Sequence, residues 1–424
     1  MIKRNGRVHE SKSRVKVLYV CPTAHWGGHY PEAVIKESLA LSKAGADVFI
    51  CSFSNVIGQK SAKIKPYRTV LSSWFGYPLG ILTPLEKFST ITRGFSWFCE
   101  QLSTLLLAIK LRGSLRYDVI YLRDGDPFLF MPFFLGLFSR NLKWAIRIIG
   151  LRQLRSPGTV QYRFINAPFW KPLYRLSMLR NRFILLCENE YIKNHVETSI
   201  LDGIFSGMVR VVRPGINRDT NPVDKAEARR YLGLPQEKAI FLNFGALHPG
   251  KDIEPVLSAI RDLPEVLLVH AGVVLPGINL KQLVKGYGVS SQLIIRDYYI
   301  PAEDEPYYFA SADAIILSYK KDFMQTASML QEAAKFGLPA IAADVGELGE
   351  LVKSYGVGLV FEAGNGSALR DALQSFLKTS RGERLKMVSH CDELCKDFSM
   401  ERWGQLCLDT FFGICGVEYQ ESQR

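Results

Sequence analysis

Four groups of residues in this chain have the types and spacing to do chemistry. One is a lone carboxylate, Glu332, in Leu330-Gln331-Glu332-Ala333-Ala334-Lys335-Phe336-Gly337, which reads as a short helix with a glycine stop. Pro339, a strand of small and branched residues over 340–343, and the turn Asp344-Val345-Gly346-Glu347-Leu348 follow it. A second group is Gly245 and Lys251 in Phe244-Gly245-Ala246-Leu247-His248-Pro249-Gly250-Lys251. A third, just ahead of the Glu332 helix, holds the cations Lys320 and Lys321 and the hydroxyls Thr326 and Ser328. The fourth lies in the first half: His25, Gly27, Gly28 and His29 in one turn, and Asp124 and Asp126 directly after an apolar run. Positive side chains and helix N-termini hold anionic groups. A positioned carboxylate or histidine can act as general base, although an Asx-type turn also accounts for Asp124 and Asp126.

These residues need strands to deliver them to one edge of a sheet. Residues 15–21 read as an apolar strand, followed by the glycine turn, a helix over 31–44 stopped by Gly45, and a strand over 47–51. That order makes a right-handed βαβ unit. It lacks GxGxxG and so is no dinucleotide fingerprint, but Gly27-Gly28 lets the backbone approach a ligand closely. After a helical, aromatic stretch over 84–112 come strands at 117–123, 144–149 and 183–187, the first and last ending in Asp124-Gly125-Asp126 and Glu188-Asn189-Glu190. In open parallel sheets ligands gather beyond the carboxyl ends of strands. A strand at 209–212 and a linker at 213–217 close this half. The second half alternates again, with strands at 239–245, 266–272, 292–296 and 313–319 and helices at 226–232 and 253–261. Near-continuous apolar strands separated by helices predict parallel sheets covered on both faces.

The helix–Gly–Pro–strand–Gly-turn run of 330–350 closely resembles the nucleotide-sugar domain of GT-B glycosyltransferases of the group 1, family 4-like kind. The resemblance is specific over 240–361 and architectural before residue 118. It implies an α/β fold of two Rossmann-like doubly wound parallel-sheet domains with a cleft between them. The expected boundaries are 1–213 for the acceptor-side domain, 214–398 for the nucleotide-sugar domain, and 399–424 for a terminal helix returning to the first. It further implies that Glu332 contacts the donor ribose, that Lys251, in one loop with Gly245, contacts the diphosphate, and that the Gly27-Gly28 loop faces the cleft. Thr326, Ala327 and Ser328 fit the hydroxyl-and-amide cradle that some members use for pyrophosphate, with Lys320 or Lys321 as a second cation. Asp124, Asp126, His25 and His29 are the candidates for general base, with Asp124, Asp126 and His29 taken as the catalytic set.

Three positions depart from the family pattern. Ala246 stands where the family has arginine, with His248 or Arg296 as conceivable substitutes. Met324 occupies the place of the first of two glutamates separated by seven intervening residues. Ile148-Ile149-Gly150 replaces the histidine that many retaining members carry. Retention or inversion therefore stays open, as does uridine or guanosine in the donor. No metal or other cofactor is implied.

Composition bounds the rest. The 424 residues, 47% hydrophobic and 22% charged, suit two folded domains. The eight scattered cysteines show no CxxC, and Cys391 and Cys395 beside His390 lack a second cluster for zinc; reduced, buried thiols are expected. Residues 1–16 are basic without an apolar core, and no run reaches the length of a spanning helix. The apolar run 127–138 is expected as a buried helix.

The net charge of +12 is uneven: between Asp126 and Glu188 there is no acid and ten cations, interleaved with Trp144, Tyr162, Trp170 and Tyr174. Such a stretch suits an anionic membrane surface. It also suits single-stranded nucleic acid, a rival that the donor-type second half disfavours. The expected setting is cytoplasmic, peripheral at the inner face of the membrane. The expected partners are a nucleotide-sugar donor, a glycan or lipid-linked acceptor and an anionic membrane surface, without nucleic acid. A non-catalytic sugar-nucleotide binder and a sugar-nucleotide epimerase are the remaining rivals.

Overall fold

The structure, a computed structural model, describes residues 14–22, 30–52, 65–68, 90–125, 129–149, 160–217, 222–326 and 328–416. The chain forms two units. One comprises 1–188, 193–212 and 400–424; the other comprises 189–192 and 213–399.

In the first unit seven strands lie in the order β3-β2-β1-β4-β5-β6-β7, all parallel. They are β1 (Lys16–Cys21), β2 (Asp47–Ser52), β3 (Lys65–Arg68), β4 (Val119–Leu122), β5 (Lys143–Ile148), β6 (Arg182–Cys187) and β7 (Val209–Val211). Helices α1 (Tyr30–Ala44), α2 (Thr90–Lys110), α3 (Phe130–Gly136), α4 (Val160–Ile165), α5 (Trp170–Arg180) and α6 (Glu190–Ser199) occur along the same stretch of chain. The order reverses beside β1, the switch point at which doubly wound sheets place ligands. The core on one face joins Val17, Tyr19, Val34, Leu41, Val119 and Tyr121.

Six strands in the order β10-β9-β8-β11-β12-β13 make the second unit, again all parallel. They are β8 (Ala239–Phe244), β9 (Val266–Ala271), β10 (Leu293–Arg296), β11 (Ala314–Leu317), β12 (Ala340–Ala343) and β13 (Gly358–Phe361). The helices are α7 (Lys225–Leu232), α8 (Glu254–Arg261), α9 (Leu280–Tyr287), α10 (Glu305–Ser311), α11 (Ser328–Lys335), α12 (Gly346–Tyr355), α13 (Gly366–Lys378) and α14 (Arg381–Asp397). Their starts are set locally. Asp224 accepts from the amides of Ala226 and Glu227 at 2.9 and 3.0 Å, Asn365 accepts from Ala368, and Ser380 with Glu383 forms a reciprocal capping box. β9 is buried at every position and β8 at all but its first, as a sheet covered on both faces requires.

The last helix, α15 (Met400–Cys415), packs in the first unit. Its Gly404 fits so closely over α1 that an added Cβ would lie 2.7 Å from the Ala40 carbonyl oxygen. Trp403 and Phe411 meet Tyr121 with ring centroids 6.4 and 5.7 Å apart.

Two expectations need correction. Three of the four aromatic residues named among the cations of the 127–187 stretch, Trp144, Trp170 and Tyr174, do not form a surface. Trp144 and Tyr174 are buried, and Trp170 is 9% exposed. Tyr174 packs on Phe133 and Phe205, and Trp144 stacks on Phe183, because burial of such large apolar rings outweighs their polar handles. Nor do all the cations go without counter-charge. Arg147 lies between Glu37 and Glu188, at 2.6 and 2.8 Å, and Lys171 meets Asp202 at 3.0 Å. The apolar run at 127–138 is helical over Phe130–Gly136 and buries Met131, Phe133 and Leu135, but it leaves Phe134 and Phe138 exposed.

Candidate functional site

The carboxyl ends of β8, β9 and β10 are joined by backbone hydrogen bonds past the sheet. Gly245 N donates to Ala271 O (2.9 Å), Gly272 N to Arg296 O (3.0 Å) and Leu247 N to Val273 O (2.9 Å). Gly245 and Gly272 both have positive φ, +80° and +149°, and an added Cβ at Gly272 would sit 2.4 Å from Gly245 O. Gly272→Ala is therefore expected to cost more than about 1 kcal/mol and to loosen the Gly245 loop, measured by chemical denaturation and amide exchange. On the other side the Lys251 loop is stitched to the end of β11. Asp252 N donates to Ser318 O (2.9 Å), and Lys320 N to Gly250 O (3.2 Å).

Lys251 sits inside this frame and is only 9% exposed. Its Nζ donates to Phe244 O at 2.5 Å and Gly245 O at 3.5 Å. Burial lowers its pKa to about 8. Below, His270 and Asn243 occupy paired positions on β9 and β8, with Nδ1 donating to Asn243 Oδ1 at 2.9 Å. Burial first, then the nearby Lys251 charge, lowers the His270 pKa to about 4, so the ring is neutral. Among the described residues Lys251 is thus a cation without a carboxylate among its hydrogen-bond acceptors, held by backbone dipoles.

Gly245 brings α11 to the same place: a Cβ there would lie 3.6 Å from Met329 Sδ and 3.7 Å from Lys251 Nζ. The first turn of α11 begins at Ser328, whose amide donates to Thr326 O (3.0 Å). Thr326 Oγ1 donates to Glu347 Oε2 (3.1 Å), and Arg213 Nε donates to Glu347 Oε1 (2.6 Å). Burial raises the Glu347 pKa while Arg213 and then Thr326 oppose it. Glu332 is partly exposed on α11 and pairs with Lys335 at 3.2 Å. Lys320 is exposed, and Lys321 reaches Glu362 at 3.6 Å.

The second unit thus gathers Gly245, Lys251 and the start of α11 around one loop cluster, with Thr326 tied to α12. Ala246, in the place of the family arginine, is exposed. His248 accepts from Gly250 N at 3.0 Å through Nδ1, and Arg296 donates to Leu232 O at 3.3 Å. Glu347 and Arg213 are the residues that sequence reasoning passed over, one read as part of a turn and the other as linker. The signal was an acid one residue after the glycine that opens a helix, where backbone amides and a cation can hold it.

In the first unit Asp124 is buried and accepts from Arg123 at 3.0 Å, with Cys21 Sγ at 3.6 Å. Arg123 and Arg147 both also reach Glu37 Oε1, at 3.2 and 2.6 Å, and Tyr19 donates to Glu37 Oε2 at 2.6 Å. Burial pushes Glu37 up, but Arg147 and Arg123 outweigh it and leave the carboxyl below its ordinary value. At Glu188 burial wins over Arg147, and the pKa is raised. The remaining candidates here, Gly27, Gly28, His25, His29 and Asp126, lie outside the described residues, as does Ala327 in the second unit.

Two parallel α/β sheets in this order define a GT-B protein. A family model for glycosyl transferases group 1 matches residues 224–392, and the second unit is a domain of that family. A D-inositol 3-phosphate glycosyltransferase of Mycobacterium tuberculosis (strain ATCC 25618 / H37Rv) is 28% identical over 236 residues, 53% of this chain and 48% of that protein. The chain thus spans about half the length of the curated relatives it matches. Among solved structures, Anabaena Alr3699/HepE in complex with UDP and glucose aligns at TM-score 0.65 and 16% identity, over 94% of this chain and 100% of the other. WaaG, a glycosyltransferase involved in lipopolysaccharide biosynthesis, aligns at TM-score 0.62 and 13% identity, over 94% and 100%.

Proposed function

We propose that the chain transfers a sugar from a nucleotide-diphosphate donor, a UDP- or GDP-sugar, to a membrane-linked or polysaccharide acceptor in surface-glycan assembly. The observation that carries this reading is the buried Lys251 ammonium held by the Phe244 and Gly245 carbonyls beside the start of α11. A cation with no carboxylate partner among the described residues, next to helix-end amides, suits an external anion such as a diphosphate. The family match over this unit supports the donor class, and the structural likeness to a UDP-bound protein agrees with it. Thr326 and Ser328 then offer hydroxyls to the phosphates, Lys320 a further cation, and Glu332 an acceptor for ribose hydroxyls. Asp124, Asp126 and His29 are the proposed proton acceptors, and the Gly27-Gly28 turn a close backbone approach.

A donor is identified by thermal-shift titration with UDP- and GDP-sugars, since ligand linkage raises the melting temperature. Sugar transfer to a membrane extract then tests the activity. Glu332→Ala is expected to weaken donor binding roughly tenfold or more, with little change in melting temperature, because its one described ionic partner is the neighbouring Lys335. Wild-type affinity in that variant would remove Glu332 from the site. Ala246 and Met324 favour a second reading, a sugar-nucleotide binder without turnover. Tight donor binding with neither transfer nor donor hydrolysis would establish it.

A further inference from the structure

The first unit carries an apolar trough with a cationic rim that donor chemistry does not use. A cavity of about 740 Å³ runs over β6 and the edge strand β7, between α5 and α15, lined by Met178, Ile184, Met208, Val211, Leu406 and Ile414. Arg182 and Arg210 stand in its lining, with Asp409 as the one acid there. A second hollow of about 420 Å³ adjoins it, shares Met178, Asn181 and Arg182, and adds Lys143 and Arg180. The guanidinium groups of these arginines rest on carbonyls: Arg182 on Ile414, Arg180 on Ser139 and Arg210 on Val209. Asp409 accepts from Gln405.

Beside the rim, two large apolar side chains face solvent, Leu179 at 85% and Phe138 at 76% exposure. Asn181 fixes them relative to each other. Its Nδ2 donates to Gly136 O (2.8 Å) and Ser139 O (3.2 Å), and its Oδ1 accepts from Leu142 N (2.9 Å). The segment bearing Phe138 is thereby tied to the end of the helix bearing Leu179. Two such side chains on a held backbone, next to four cations, give this part of the surface both apolar and cationic groups, the combination that an anionic bilayer interface accepts.

We propose that this face docks on an anionic bilayer, the trough taking an acyl chain of an anionic phospholipid and the Lys143, Arg180, Arg182 and Arg210 rim its phosphate. Leu179 and Phe138 enter the interface alongside. The proposal goes beyond the proposed activity: the face lies at the amino ends of β5 and β6, the other end of the sheet from Asp124, and the proposal names its surface, its lipid class and the source. Its support is charge complementarity, a cavity with six apolar side chains in its lining, and two exposed apolar side chains whose segments Asn181 ties together.

The test is flotation of the full chain with phosphatidylcholine vesicles, with and without phosphatidylglycerol, over a range of salt. Binding is expected only with the anionic lipid and to weaken as salt rises. Arg182→Glu with Arg210→Glu is expected to reduce binding at least tenfold, at about 1 kcal/mol per cation near the surface. Gly413→Leu separates chain insertion from attraction of charges, because a Cβ there meets nothing within 4 Å and points a side chain into open space at the trough. It is expected to fold and to bind several-fold less at unchanged salt dependence. Equal binding to neutral vesicles, or parental binding by the charge-reversal variant, would overturn the proposal. Parental binding by Gly413→Leu would reduce it to charge attraction and overturn the trough. Donor-induced thermal shift is read on every variant, so loss of vesicle binding with donor response intact separates this inference from the proposed activity.

Discussion

Replacing Lys251 with methionine is expected to abolish donor-induced stabilisation while leaving the free protein as stable as the parent, or more so. The side chain is buried, its described hydrogen-bond acceptors are two carbonyls, and burial penalises its charged form. An apolar side chain of similar length removes that penalty. A diphosphate bound in the parent gains a charge-assisted hydrogen bond worth about 1.5–3 kcal/mol, roughly ten- to a hundredfold in dissociation constant. Calorimetric titration and thermal melting on one preparation check both halves. The pH dependence has a defined sign. The folded pKa, about 8, is below the ordinary value of 10.5, so the unfolded chain binds the proton more tightly between them. The destabilising contribution is full below about 8 and is relieved as pH climbs from there toward 10.5. Donor affinity should move the other way, falling as pH passes about 8 in the parent and staying flat in the methionine variant. A variant that binds donor like the parent would mean that the diphosphate lies elsewhere.

Arg147→Met is expected to be the most damaging single change in the first unit, costing about 3–5 kcal/mol. It would remove a guanidinium shared by two buried carboxylates, since Arg147 bridges Glu37 and Glu188. Arg123 would still reach Glu37 at 3.2 Å, so Glu188 is the acid left most exposed to the loss. Adding Glu188→Gln to the variant should recover part of the stability by replacing a buried carboxylate that has lost this guanidinium with a neutral amide. Urea unfolding of the single and double variants measures the recovery. A double variant no more stable than the single one would mean that Glu188 is not the source of the loss.

The regular parts of both sheets were open to reading because their signal is local. Ile240-Phe241-Leu242 and Val266-Leu267-Leu268-Val269 are apolar at every position, and only a strand buried on both faces needs that. Lys65-Pro66-Tyr67-Arg68 gave no such signal, since an edge strand tolerates proline and charge, and it was passed over. Side-chain destinations were harder. Glu347 is held by Arg213, 134 residues away in the chain, and no window on the sequence contains both. Glu37 did leave a trace, falling three residues after Val34 and four before Leu41 on one face of α1. An acid in that stripe needs a buried cation, and Arg147 supplies it. The interleaving of rings and cations over 127–187 misled because composition does not say which side of an element a ring occupies. Trp144 and Tyr174 turned inward, while Leu179 and Phe138 remained outside.

The closeness of α15 to α1 has a consequence for synthesis. Translation delivers all of the second unit before the helix that completes the first, since residues 400–415 follow 213–399. Until they emerge from the ribosome, the side of Tyr121 that meets Trp403 and Phe411 stays bare, as does the ledge at Ala40. The early-made half must therefore wait in a sticky, unfinished state while the later-made half reaches its native form, a window in which a chaperone has apolar surface to grasp. A nascent chain halted before residue 400 should resist protease across the second unit and remain cleavable in the first.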